Sequence, residues 1–425
     1  MDSLRQNVPV WICRAEKVFV FNFVAFSFVM FSCWFPTGFS ATFSTLAFVF
    51  ALPVFIYQFS DITKSTFEKV GLVLFGWLSL SVFWSNAPLI NNLVDLSEYR
   101  FYFMLPVFIG AIAFNEKAQR LSAVAAIVGS LVALVTSYGL GLGWWTIKGA
   151  DLSLSNRIFH GFIMSSAMLA GLLIWRENSS YKSFFGLAIA IFSAYNVLNI
   201  EQGRTGFLQV IFVFVVFLSL SVSRRQFFVS LAVSGLLICS AYSMLGSFHA
   251  RVNATIVNVG KMISEGDVGS SAGQRLEMYR GAIEIGSNYP MFGVGVGDVV
   301  GALEDMSSKG ELRVATDNVH NEFLNMLIAG GVPAMVLFLG FIMMIGHTGL
   351  IHRKQSRWVG DALICLSVLI MISALFNSTI KDYGEKHALM IILTLVGSRI
   401  ALHHSRRSAV DSNLQGEQDG INFNS

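Results

Sequence analysis

Charge is what this sequence most lacks. Asp, Glu, Lys and Arg supply 13% of its 425 residues, against 54% hydrophobic residues. An average soluble domain carries about 25% charged residues, so a soluble globular protein is excluded. The formal net charge of +3 is too small to create a basic field, and nucleic acid is not expected as a partner. Cysteine is sparse too: Cys13, Cys33, Cys239 and Cys365 show no paired spacing, which points to neither a disulfide framework nor a zinc site. There is no P-loop pattern and no solenoid-type repeat. The run Gly293-Val294-Gly295-Val296-Gly297 follows no strand of a βαβ unit, so it is weak support for nucleotide binding. The first apolar stretch, residues 18–35, has no small-residue cleavage site and is followed quickly by a second. An uncleaved first helix is expected rather than a signal peptide.

Long apolar runs fill the sequence instead. A helix crossing a bilayer needs about 20 apolar residues, fewer where it tilts or the bilayer thins. Twelve segments are candidates: 18–35, 41–59, 70–84, 101–114, 121–144, 160–175, 184–200, 205–222, 227–247, 323–346, 362–380 and 388–402. Lys and Arg are retained on the cytoplasmic side of short loops. With the N-terminus inside, that side collects Arg14, Lys17, Lys64, Lys69, Lys117, Arg120, Arg176, Lys182, Arg224, Arg225, Arg353, Lys354 and Arg357, among others. The short outer loops hold Arg100, Lys148, Arg157, Arg204, Lys381 and Lys386. Both termini are therefore expected in the cytoplasm, and the long loop after residue 247 outside.

The expectation is an all-α polytopic membrane protein of about 12 transmembrane helices with one long external helical loop. Residues 1–247 form an N-terminal bundle of about nine spans and residues 323–407 a C-terminal bundle of about three. Residues 248–322 form an external, periplasmic subdomain between them, and the polar residues 408–425 a disordered cytoplasmic tail.

The one long polar passage runs from Ser270 to Gly331. From Gln274 to Ile285, apolar residues recur mostly at three- and four-residue steps, the pattern of a helix with one buried face and with Arg275 and Arg280 toward its polar side. Pro290 and then Gly293, Gly295 and Gly297 break that helix into tight turns where no side chain obstructs a partner. Asp317 or Asn318 is the expected N-cap of the next helix, which places His320 in its first turn at the water boundary.

Each arginine in the sparsely charged outer loops needs a reason. Arg204 opens an apolar helix after the short link Glu201-Gln202-Gly203, so its guanidinium meets the positive end of a helix dipole, an arrangement that an anion relieves. Drawing it into the bilayer would cost about 2.5–3.5 kcal/mol; the alternatives to anion binding are a lipid-phosphate contact and a pair with Glu201. Arg157 precedes another apolar helix on the same side and is a candidate to complete a cationic pocket. Arg275 and Arg280 diverge at their five-residue step, and Arg280 has Glu277 and Glu284 as ready partners. Arg100, near Asp95 and Glu98, is as readily a structural ion pair. Guanidinium groups stay charged and present paired donors that fit phosphate oxygens. Their convergence at headgroup depth would make a receptor for a lipid diphosphate. His320 carries the imidazole that can take a proton from a hydroxyl, although residue type alone favours a histidine bonded to the backbone at a helix start. Asp317, His320 and Glu322 fall short of a complete metal-ligand set, and no metal or cofactor is expected.

The Arg-bearing helix, the phrase Asn288-Tyr289-Pro290-Met291-Phe292-Gly293-Val294-Gly295, and His320-Asn321-Glu322-Phe323-Leu324 ahead of Gly330-Gly331 resemble the shared signature of the O-antigen ligase and O-antigen polymerase superfamily. Arg275 falls at that family's arginine position, and Asp382 resembles an acidic position in its last outer loop, either orienting an acceptor or pairing with Lys381 or Lys386. Asn321, inside the motif, is a secondary candidate with Arg100, Arg280 and Asp382.

The resemblance implies a glycosyltransferase of the bacterial inner membrane with its site facing the periplasm. It would move O-antigen glycan from undecaprenyl diphosphate to a hydroxyl of the lipid A core among membrane lipids, with His320 as base and Arg204, Arg275 and Arg157 on the diphosphate. The expected chemistry is metal-independent and inverting. An O-antigen polymerase and a protein-directed oligosaccharyltransferase are the sibling readings. A lipid-linked oligosaccharide flippase or other transporter is the reading from another class.

Overall fold

The computed structural model describes residues 9–422 other than 36, 59–64, 148–155, 202, 245 and 315; the side chains at 58, 201, 233–234, 237–242, 244, 246–248, 251 and 403–422 are also outside the description. Among the described residues there are sixteen α-helices and no strand. The first nine are α1 (Val10–Ser32), α2 (Thr37–Gln58), α3 (Thr66–Leu80), α4 (Leu89–Glu98), α5 (Phe101–Ala113), α6 (Glu116–Gly141), α7 (Arg157–Glu177), α8 (Tyr181–Tyr195) and α9 (Arg204–Ser221). Then follow α10 (Arg224–Met244), α11 (Gly246–Glu265), α12 (Ser271–Asn288), α13 (Val299–Ser308), α14 (Glu322–His352), α15 (Arg357–Phe376) and α16 (Tyr383–Asn422).

Among the described residues nine helices are long and apolar enough to cross a membrane: α1 to α3, α6 to α9, α14 and α15. The chain is a multi-pass membrane protein. The other three expected spans coincide with α5, α10 and α16. At 13 residues α5 is short for a span, and its composition has a second use. Twelve of its residues are buried, packed among α2, α3 and α16, so its hydrophobicity serves the bundle interior. The last helix continues to Asn422, through most of the stretch that composition marks as disordered. Extending an existing helix by a residue avoids the cost of nucleation, and no proline interrupts this one.

At one end of the bundle the buried carboxylate of Asp361 accepts from Arg176 Nη1 at 2.6 Å and Arg353 Nε at 2.5 Å, joining α7, α14 and α15. The opposite end carries a layer made of α11, α12, α13 and the links around them. Within it, Glu277 on α12 takes ion pairs from Arg313 (2.9 Å) and Arg280 (3.0 Å), whose hydrogen bonds hold its carboxyl down to about 2. An element not anticipated from the sequence, α4, lies beside this layer. Its Asn92 is buried and accepts from Gly297 N at 3.1 Å, while Leu89, Ile90, Leu93 and Val94 remain exposed as an apolar stripe.

The layer is fastened to the bundle through a break in α14. Gly331 has φ 72 and ψ −170 and Pro333 follows, so the helical ladder fails there. Val332 N is diverted to Pro290 O at 2.8 Å, and Pro333 has no N–H to give. The carbonyls of Ile328 and Ala329 are thereby left without their helical donors. Val294 N supplies the first (2.8 Å) and Gly295 N the second (3.2 Å), and Trp77 Nε1 donates to the neighbouring Gly330 O at 2.8 Å. An unpaired carbonyl at membrane depth costs several kcal/mol, so the glycine turn after Pro290 completes the helix as well as ending another. The open backbone expected there for an outside partner is taken by the chain itself. Gly293 sits at φ 67, and a Cβ on it would lie 2.3 Å from Ile328 O. Gly293→Ala should therefore detach the turn and destabilise the protein by about 2–4 kcal/mol. A lower unfolding temperature in detergent and faster tryptic cleavage at Lys309 and Arg313 are expected; wild-type values for both would show that the turn does not hold the layer.

Candidate functional site

The site is assembled where α12, the start of α14 and the link from α15 to α16 meet. His320 precedes α14 rather than lying in its first turn, which corrects the sequence expectation. The N-cap is Asn321, whose Oδ1 accepts from Leu324 N at 3.2 Å, and not Asp317 or Asn318. Asn318 is used otherwise. Its Oδ1 accepts from His320 N at 3.0 Å, the local turn that short amide side chains favour. That turn leaves His320 at φ 54, a left-handed conformation uncommon for a residue with a Cβ.

Further contacts hold the same segment. Tyr279 Oη on α12 lies 3.2 Å from His320 O and 3.4 Å from Leu375 O. Asn321 Nδ2 donates to Leu375 O at 3.0 Å, and Glu322 N to Asn377 O at 3.2 Å. The link is in turn stitched to the motif. Glu322 Oε2 accepts from Ile380 N (3.0 Å) and Lys381 N (3.3 Å), and Asn318 Nδ2 donates to Asp382 Oδ1 at 3.1 Å. Ser378 Oγ bonds Asn318 Oδ1 and accepts from Asn325 Nδ2 at 2.9 Å. Backbone strain at one histidine, over-determined from several sides, is the pattern found at sites of chemistry.

The His320 side chain is half-buried. Its Nδ1 is buried and has no hydrogen-bond partner among the described residues. Burial, then the Arg275 guanidinium, lowers its pKa below the usual imidazole value, with Lys381 adding to the effect and Asp317 opposing it. The neutral ring therefore prevails at neutral pH. Arg275, also half-buried, gives one Nη1 bond to Phe376 O at 2.9 Å. Burial raises the Asp382 carboxyl against the pull of its Asn318 bond and of Lys381 and Lys386.

His320, Arg275, Asn321 and Asp382 are thus gathered around one link. Arg157 and Arg204 form a second group, as the first residues of α7 and α9. These helices start side by side: a Cβ on Gly161 would lie 3.3 Å from Gly206 Cα, and one on Gly203 3.4 Å from Arg157 O. Asn156 caps α7 by accepting from Ile158 N and Phe159 N. The Phe159 ring lies against Gly384 at the start of α16, two residues beyond Asp382, so both groups occupy the same end of the bundle. The pairing of Arg204 with Glu201 concerns a side chain outside the described residues. Arg280 is turned elsewhere, bonding Glu277, Glu284 and the carbonyl of Glu311. Arg100 donates to Ser97 O at 2.8 Å beside α5.

Sequence reasoning passed over Tyr279 and gave Asn318 and Glu322 other roles. Tyr279 stands four residues after Arg275, one helical turn, which is the signal that was available.

Residues 187–339 match the model of the family described as O-antigen ligase, which supports the O-antigen ligase and polymerase superfamily. No curated protein matches the chain. The matched segment contains Arg204, Arg275, Arg280, the glycine turn, His320 and Asn321, and leaves Arg100, Arg157 and Asp382 outside it. Asn318→Ala should free His320 N and Asp382 together, each a loss of about 1–3 kcal/mol. Hydrogen–deuterium exchange is then expected to rise jointly at 317–321 and 378–382; unchanged protection would show that Asn318 does not couple them.

Proposed function

From the O-antigen ligase match and the geometry around His320, we propose that this chain transfers an O-antigen glycan from undecaprenyl diphosphate to a hydroxyl of the lipid A core, at the periplasmic face of the bacterial inner membrane. The observation that carries the reading is a backbone-strained histidine, its pKa lowered by burial and by the half-buried Arg275, whose buried Nδ1 has no hydrogen-bond partner among the described residues.

In this mechanism the acceptor hydroxyl gives its proton to the His320 imidazole as its oxygen attacks the anomeric carbon. The bond from that carbon to the diphosphate oxygen breaks, and its electron pair leaves with the diphosphate. Single displacement inverts the anomeric centre. Charge gathers on the departing diphosphate, where Arg275 offers a charged fork. Arg204 and Arg157, at the positive ends of two adjacent helices, add charge of the same sign for the diphosphate. With arginines neutralising the leaving group, no protonating acid is required. Asn318, Asn321 and Tyr279 touch only backbone or neighbouring side chains here and position the histidine.

General-base catalysis contributes about 10²–10⁴-fold, and His320→Ala should lower turnover by that factor in a reconstituted assay with lipid-linked glycan and lipid A core. Wild-type turnover would remove His320 from the mechanism. Formation of longer lipid-linked chains in place of core-linked product would reassign the acceptor and make the protein a polymerase. Because the histidine acts unprotonated and its pKa is lowered, kcat/KM should stay level down to about pH 6.5 and fall only below it; an acidic limb above pH 7 would contradict a depressed imidazole.

A further inference from the structure

An open groove of about 820 Å³ lies in the layer between the end of α12, the glycine turn, α13 and the link before α4. None of the residues placed above in the transfer chemistry lines it. We propose that this groove binds a stretch of neutral oligosaccharide, holding a glycan chain that runs to or from the reaction centre; the assignment of that chain to donor or acceptor rests on the transfer reading above.

Three features carry the assignment. The first is aromatic. Tyr289 and Phe292 remain 55% and 52% exposed on the groove wall, and Trp84 stands beside them. Phe292 is backed by Trp77, stacked at 5.9 Å, and by Trp84, edge-on at 5.3 Å, so the platform is rigid without being covered. The face of such a ring is negative and attracts the partly positive C–H bonds on one side of a sugar ring.

The second feature is polar. Glu284, Asp298, Asp305 and Glu311 line the groove with the amides of Asn86 and Asn288, a set of acceptors and donors suited to hydroxyl groups. Its one lysine, Lys309, is engaged by Asp305 at 2.5 Å. Glu284 is held by Arg280 at 3.0 Å, so Asp298 and Glu311 carry the excess negative charge of the lining, which disfavours phosphate and acidic headgroups and separates the groove from the diphosphate and from a lipid-surface anchor. Among the described residues its carboxylates form no group placed to hold a metal ion.

The third feature is position. Ile285 on the groove wall is ten residues along α12 from Arg275, or about 15 Å at the helical rise, a span that a short oligosaccharide covers. The groove floor includes Gly293 and Val294, the turn that fastens the layer to α14.

The test is saturation-transfer NMR on the purified full-length protein in detergent. Two probes are used: lipid-free O-antigen glycan and lipid-free core oligosaccharide from the cell that makes this protein. Saturation is expected to reach one of them or both, and whichever it reaches assigns the groove to donor or acceptor. Tyr289→Ala and Asp305→Asn, both at exposed positions, should each weaken binding about three- to tenfold. No saturation of either glycan by the wild-type protein, or binding that both variants leave intact, overturns the proposal. Full transfer activity in His320→Ala would instead remove the base assignment without touching the groove.

Discussion

The structure depends on how one broken helix recovers its hydrogen bonds. At Gly331 and Pro333 the carbonyls of Ile328 and Ala329 lose their helical donors and regain them from Val294 and Gly295, while Trp77 bonds the neighbouring Gly330 carbonyl. In a medium without water such bonds are close to obligatory. Docking of the glycine turn is therefore a condition for α14 to exist in this form. The same docking fixes α12, which ends just before the turn, against the first half of α14. Arg275 and Tyr279 ride on α12, and His320 precedes α14, so the distance between cation and imidazole follows from a backbone requirement several turns away.

The distribution of charge over the layer follows from this arrangement. Facing the bundle, burial first and then Arg275 favour the neutral His320 ring, with Asp317 as a partial counterweight and Lys381 adding to the effect. Facing away, Asp298 and Glu311 leave the groove acidic, and Arg280 and Arg313 are bound to the buried Glu277 between the two faces. A glycan attached to a diphosphate has that same asymmetry: an anion at one end and neutral hydroxyls along its length. The transfer reading and the groove reading are independent in their residues but agree on which end of such a molecule belongs where.

The bundle was legible because lipid imposes long apolar runs. Candidate spans as different as 41–59 and 362–380 correspond to α2 and α15. The Arg-bearing helix was readable from its period, and observed α12 extends the expected 274–285 by a turn or less at each end. What escaped depended on partners distant in sequence. The αL turn at His320 arises because Asn318 can bond both the histidine backbone and Asp382, 64 residues away; locally the same residue reads as a helix cap. The glycines after Pro290 read as an open backbone, since nothing near them reveals two orphaned carbonyls in a later helix. Arg280 was readable as an ion pair from its neighbours at three and four residues, whereas the Phe376 carbonyl bonded by Arg275 lies 101 residues on. The short, nearly all-buried α5 shows the limit of hydropathy itself, which reports exclusion from water and not contact with lipid.

The central claim is that one imidazole and cations from separate turns act on the same lipid diphosphate at the layer end of the bundle. The most direct measurement is a cryo-electron microscopy structure of the protein with an undecaprenyl-diphosphate-linked glycan bound. The account predicts diphosphate oxygens within hydrogen-bond distance of the Arg275 guanidinium, with the first sugar's anomeric carbon facing the His320 ring. A diphosphate seated away from both, for example among Arg176, Arg353 and Arg357 at the opposite end, would contradict it.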